Sequence, residues 1–210
     1  TLEGRNHWRN FANDVIKKFD LNKNDLVIDI GSNIGELLIN FKNQTEIYGI
    51  DPAHNIAIKA IERGVPTLCE FFDKKIVNKF KELKLFPRVI TGTNVFAHLD
   101  DVNGSLDVVK KILLPNGVFI IEVPYLLNLL KGLEYDTIYH EHLTYLSITP
   151  LNELFMKHGL EIFDVEFKDI HGGSVRVFIK HIEYEMETSP GIKTIIENEK
   201  KEKIHELDVL

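Results

Sequence analysis

Five short strand-like segments separated by helix-patterned stretches constrain this chain more than any other feature. Residues 26–30, 46–50, 67–70, 88–91 and 118–123 are each too short for a buried helix, and Gly, Pro, Asn or Asp bounds most of them. Between them, 34–41, 53–63, 74–83 and 102–113 carry apolar residues at helical spacing, and so does an opening stretch at 8–19. Such alternation predicts a mostly parallel sheet with helices on both faces, because parallel neighbours need a crossover. The pattern then changes. After an irregular stretch at 125–148 and a helix at 150–158, residues 161–168 and 174–181 alternate around Gly172-Gly173, which predicts an antiparallel hairpin. A dinucleotide-binding fold would instead continue with a second βαβ half.

With 210 residues, 44% of them hydrophobic, the chain can bury one sizeable core. Residues 1–181 read as one domain, and 182–210 as a polar helix or linker. Within that tail Lys200, Lys201 and Lys203 alternate with Glu199 and Glu202, the pattern of a solvated helix face. A net charge of −7 with scattered basic residues argues against nucleic acid as a partner. The single cysteine, Cys69, rules out an internal disulfide and a Cys-based zinc site, and its apolar surroundings predict burial. The longest apolar stretch, 118–130, is interrupted by Glu122, Pro124 and Asn128, so no membrane span is expected. No signal peptide is read, and a cytoplasmic location is expected.

The first strand runs into Asp29-Ile30-Gly31-Ser32-Asn33-Ile34-Gly35. In an open parallel sheet a ligand binds at the carboxyl ends of the strands. Gly31 and Gly35 allow close backbone approach, and Asn33 is the next best residue for a left-handed conformation. Asp51, followed by Pro52, ends the second strand twenty residues after Gly31 and is placed to accept the ribose hydroxyls of an adenosine. Asp29 is placed to reach the turn amides or an ammonium group. The spacing departs from G-x-G-x-x-G, the arrangement that brings a pyrophosphate to a helix N-terminus. A sulfonium cofactor carries no phosphate, so these residues point to S-adenosylmethionine. Phe71 and Phe72 read either as a wall for the adenine ring or as core, and Asn94 as a polar contact in the same cleft.

Reactive side chains concentrate after the strand ends, in 94–98, in Tyr139-His140-Glu141-His142, at Tyr145 and Ser147, and in 171–176. A methyl acceptor that is a carbon acid or a hydroxyl must lose a proton, and His is the natural base near neutral pH. Glu141 is a neighbouring carboxylate able to orient an imidazole. His7, His54, His158, His181 and His205 are assigned to surface or structure. A metal reading is set aside because the spacing is not His-Glu-x-x-His and zinc wants three or four placed ligands.

The 29–35 turn, the Asn94 to His98 element, the Tyr-His-Glu-His block and the His171-Gly172-Gly173-Ser174-Val175-Arg176 element together resemble the sugar C-methyltransferases, over roughly residues 8–181. The resemblance implies a class I S-adenosylmethionine-dependent fold and methylation α to the ketone of a nucleotide-linked deoxysugar. It implies His142 as the base, Glu141 and Tyr139 as polarising or positioning groups, and His98 across the cleft. It also implies substrate contacts from His140, Tyr145, His171, Ser174 and Arg176. His140 reads alternatively as a support for His142, and Arg176 as half of a structural ion pair. Gly172-Gly173 reads alternatively as a plain turn. The family pattern adds a Cys-rich zinc module before this domain and an α/β domain after it. Against that pattern the sequence reads as an excised domain or a short relative. Two other functions stay open, an O-methyltransferase of a sugar or small metabolite and a non-catalytic S-adenosylmethionine-binding module.

Overall fold

The computed structural model describes residues 2–140, 142–170, 172–204 and 206. Helix α1 (Leu2–Lys18) precedes strand β1 (Leu26–Ile30), then β2 (Glu46–Ile50), α2 (His54–Glu62), β3 (Thr67–Leu68), α3 (Ile76–Glu82) and β4 (Val89–Thr93). They are followed by α4 (Val102–Ile112), β5 (Val118–Pro124), α5 (Leu126–Gly132), α6 (Ile148–Lys157), β6 (Leu160–Lys168), β7 (Ser174–His181) and α7 (Gly191–Lys201). The strands form one sheet in the order β3-β2-β1-β4-β5-β7-β6. β1 to β5 are parallel, and β7 inserts antiparallel between β5 and β6. The strand order reverses between β1 and β4, so the crevice at their carboxyl ends is where this architecture receives a ligand.

Alternate strand residues feed opposite faces. Ile28, Ile90, Phe119 and Ile121 pack with α3, α4, α6 and α7, whereas Val27, Val89, Val118 and Ile120 pack with α1 and the segment after β1. This period of two explains why these strands are mostly apolar without alternation: both faces are covered.

Several elements differ from the sequence expectation. The helix expected at 34–41 is absent; only a 3-10 turn, Leu38–Asn40, forms. Positive φ at Asn33 (+49°) and Gly35 (+76°) breaks the helical path. The Asn40 side-chain amide donates to the Glu36 and Leu37 carbonyls, offering the backbone another way to satisfy itself. Strand β3 ends at Leu68, which leaves Cys69 exposed rather than buried, its thiol 3.5 Å from the Pro52 carbonyl. The stretch expected to be irregular contains α5 and a 3-10 turn at Tyr135–Thr137. Helix α7 lies on the domain, with Ile192 in the core. Glu199 is 1% exposed and so is not part of a solvated face.

Candidate active site

Two loops at the crevice are tied by one carboxylate. Asp51, at the end of β2, accepts the Asn33 amide at 2.9 Å and the Ala53 amide at 3.0 Å. A carboxylate offers about four acceptor positions, so this pair of bonds leaves room for two ribose hydroxyls. Asp29 is buried and receives the Thr91 hydroxyl at 2.7 Å. Burial, with Asp51 adding its charge, pushes its carboxyl up to about 7. Gly31, at φ +64°, has no room for a side chain: a Cβ there would lie 2.9 Å from Val95 Cγ2. The turn is thereby pressed against the segment carrying Asn94 and His98. Ser32 packs its buried, unpartnered hydroxyl toward Gly49, where a Cβ would lie 2.4 Å away. The short 3-10 turn after Gly35 presents no helix dipole for a pyrophosphate. A tight glycine cradle, a buried acid and a half-used carboxylate fit S-adenosylmethionine, which Asp29, the 31–35 turn and Asp51 would hold. Pro52 is exposed beside Asp51.

Phe71 and Phe72 part company. Phe72 is 8% exposed and belongs to the core, whereas Phe71 is 71% exposed. Both border a pocket of about 420 Å³ with Asp73, Leu99, Asp101 and His98. A second pocket, about 390 Å³, shares His98 and is lined also by Asn94, Val123, Asp136, Thr137, Tyr139, His142, Thr144, Tyr145 and neighbouring apolar residues. His98 therefore stands between the two spaces. Asn94 adopts φ +53° while its amide donates to the Glu122 carbonyl at 2.8 Å, which turns its side chain off the end of β4.

The second pocket gathers the side chains that sequence reasoning nominated far apart. His142 Nδ1 lies 2.8 Å from the Thr137 carbonyl, which can only accept, so the proton sits on Nδ1. Neutral imidazole then presents an unprotonated Nε2, and the Tyr139 hydroxyl lies 3.2 Å from it. The Tyr145 hydroxyl also donates to the Thr137 carbonyl, at 3.2 Å. The His98 and His142 rings are 5.0 Å apart. The Leu143 amide donates to the Ala97 carbonyl, joining the two histidine-bearing segments. Thr137 and Asp136 escaped the sequence reading. Thr137 acts through its backbone, which leaves no side-chain signal; Asp136 was an acid in a stretch read as irregular.

Other nominated residues lie elsewhere. His140 is exposed, its ring 6.3 Å from that of Tyr139, and is not among the described residues lining the pocket. Glu141 and His171 lie outside the described residues. Ser174 is fully buried and donates to the Ile170 carbonyl. Arg176 is 1% exposed, and of its two readings, substrate contact or structural ion pair, the buried contacts match the ion pair. Its Nε donates to Glu122 at 2.8 Å and its guanidinium stacks 3.8 Å from the centre of the Phe11 ring, both within the sheet and α1. His7 completes the cluster, 2.5 Å from the other Glu122 oxygen. Burial pushes the Glu122 carboxyl up, but His7 and Arg176 outweigh it and hold it below the usual range. Gly172 and Gly173 form a bend at φ +72° and +108°. Added Cβ atoms would strike Glu134 and Asn128, so the pair lets α5 and the residues after it approach β7 closely.

Comparison with known proteins places these features in a family context. Residues 5–165 match the model of a methyltransferase domain. The chain is 36% identical over 199 residues to the C-methyltransferase NovU of Streptomyces niveus, covering 94% of this chain and 47% of that protein. The chain thus spans about half the length of that curated relative. Among solved structures, an S-adenosylmethionine-dependent methyltransferase from Clostridium acetobutylicum superposes with a TM-score of 0.64 at 12% identity, covering 83% of this chain and 90% of that one. Magnesium protoporphyrin IX methyltransferase from Synechocystis, with bound S-adenosylhomocysteine, superposes at 0.63 and 11% identity, covering 85% and 83%. At such identities the likeness establishes the fold.

Proposed function

The chain belongs to the methyltransferase-domain family, with the class I Rossmann-like fold and S-adenosylmethionine as cofactor, and on that premise we propose that it C-methylates a nucleotide-linked keto-deoxysugar next to the ketone. The observation that carries the reading is His142, its Nδ1 held by the Thr137 carbonyl, lining a pocket bordered by Asn94, His98 and Tyr139. The C-methyltransferase relative favours carbon over oxygen as the acceptor.

When bound, S-adenosylmethionine supplies an electrophilic methyl group on a sulfonium sulfur. The chain's own contribution is proton transfer and placement. His142 Nε2 takes the proton from the carbon α to the ketone, and the electron pair left behind spreads onto the carbonyl oxygen. The Thr137 carbonyl, already bonded to Nδ1–H, stabilises the imidazolium that results. The Tyr139 hydroxyl, in contact with Nε2, and His98, across the pocket, are the polar groups near the developing oxyanion. Val123, Pro124 and Leu129 supply an apolar wall that strengthens these interactions by excluding water. Asp136, the carboxylate among the described lining residues, accepts from a sugar hydroxyl or amine.

The test is deuterium exchange. Incubated in D2O with S-adenosylhomocysteine and a nucleotide-linked 4-keto-6-deoxyhexose, the protein should wash out one α-proton without turnover. Methyl transfer to a hydroxyl with no such exchange would replace C-methylation by O-methylation.

A further inference from the structure

The pocket residues from Leu129 to Leu146 lie on one long excursion of the chain, which leaves the sheet at Tyr125 and rejoins a helix at Ile148. Its two ends meet at a single side chain. Glu199, on α7, accepts the Tyr125 hydroxyl and the Ile148 amide through one oxygen, at 2.8 and 2.7 Å. Its other oxygen accepts the Thr149 amide at 2.8 Å and the Thr149 hydroxyl at 2.5 Å. Four donors occupy the acceptor positions that a carboxylate has.

The local sequence explains why the bond has to come from so far away. The residue preceding α6 is Ser147, a good capping type, yet its side chain makes no cap bond. The first two amides of α6 would be orphaned in a buried position without an acceptor. Glu199 supplies it from another helix, at the end of α6 where the helix dipole favours negative charge. Beside this contact the Leu126 amide donates to the Leu146 carbonyl at 2.9 Å, closing the excursion at its neck. Glu199 does not touch the pocket. What it fixes is the separation of the two stems from which Tyr139, His142 and Tyr145 hang.

We propose that Glu199 is a positioning residue for the reaction, a staple that holds both ends of the 125–148 segment and thereby sets where His142 stands against the substrate. The proposal rests on the assignment of His142 as the base. It also gives α7 a role in the active site, although the helix itself is remote from it.

Glu199→Gln leaves one acceptor oxygen for four donors, and Tyr125→Phe removes a single donor. Both are milder than Glu199→Ala and keep the test independent of global folding. Hydrogen exchange should quicken over 137–147 in all three variants and stay at the wild-type level over 26–35. Affinity for S-adenosylhomocysteine should stay within about twofold, while kcat for the keto-sugar falls about 10- to 100-fold in Glu199→Gln, in line with the cost of sub-ångström to ångström misplacement. Tyr125→Phe should fall between Glu199→Gln and wild type. Unchanged exchange over 137–147, or an equal rise across the whole domain, would overturn the staple. If wild-type protein fails to turn over the keto-sugar, or His142→Ala retains turnover, the base assignment fails instead, and the exchange pattern still decides the role of Glu199.

Discussion

His142 donates its Nδ1 proton to the Thr137 carbonyl across 2.8 Å, and this bond decides which ring nitrogen faces the pocket. We predict that His142→Ala lowers kcat by about 10² to 10⁴, the range of a positioned base. Affinity for S-adenosylhomocysteine should change little, because Asp29, Asp51 and the glycine turn do not touch the ring. Tyr139→Phe, which keeps the ring but loses the hydroxyl 3.2 Å from Nε2, should cost less than His142→Ala. Steady-state kinetics beside calorimetric titration with S-adenosylhomocysteine checks both; equal loss of binding and turnover would place His142 in cofactor binding instead.

Phe71 and Phe72 give a prediction about neighbours with opposite duties. Phe72 is in the core, so Phe72→Ala should destabilise the protein by about 3 kcal/mol, the low end for a buried phenylalanine. Phe71 is exposed beside the pocket shared with His98, so Phe71→Ala should leave the melting temperature nearly unchanged and weaken S-adenosylhomocysteine. A thermal scan with and without the ligand separates them. The adenine-wall reading of Phe71 is lost if its variant binds as tightly as wild type.

Much of this was legible in the sequence where one physical rule dominated. Parallel strands covered on both faces are mostly apolar, so β1 and β5 stood out despite Asp29 and Glu122. A turn at positive φ favours Gly and Asn, so the 31–35 cradle stood out too. The failures have equally physical reasons. Residues 34–41 have helical periodicity, yet the backbone conformation demanded by Asn33 and Gly35 takes precedence over it. Arg176 and Glu199 have no local signal, because their partners are 54 and 50 or more positions away along the chain. An arginine in a strand reads as a ligand for phosphate until its carboxylate is located. The pocket was half legible: His142 and Tyr139 stood in a run of reactive side chains and took their expected roles from the family resemblance, whereas Thr137 gave no signal, since its contribution is a carbonyl.

The Glu122–Arg176 pair yields a third prediction. Arg176→Met leaves Glu122 buried with only His7 as partner and should cost about 3–5 kcal/mol of stability. Urea unfolding at constant m-value is the measurement. The depressed Glu122 carboxyl adds a direction: its contribution is present above the ordinary carboxylate pKa and lost as pH falls through the lowered one. An arginine that served a substrate phosphate would behave differently, raising KM for the nucleotide sugar with stability unchanged.

Asp29, in the crevice proposed to hold the cofactor, depends on pH with the opposite sign. Its carboxyl is raised from 3.8 to about 7, so between those values the folded protein holds a proton that the unfolded chain has released. The stability it contributes is therefore complete below about pH 4 and lost as pH rises through 7. We predict that Asp29→Asn, which keeps the shape and removes the titration, flattens stability across that window. A cationic ligand group beside Asp29 favours the carboxylate, so S-adenosylhomocysteine should bind more tightly as pH rises toward 7 and should expel part of a proton at pH 6.5. Titration calorimetry in two buffers of different ionisation enthalpy reads that proton directly. Proton release that persists undiminished in Asp29→Asn would assign the linkage to another group.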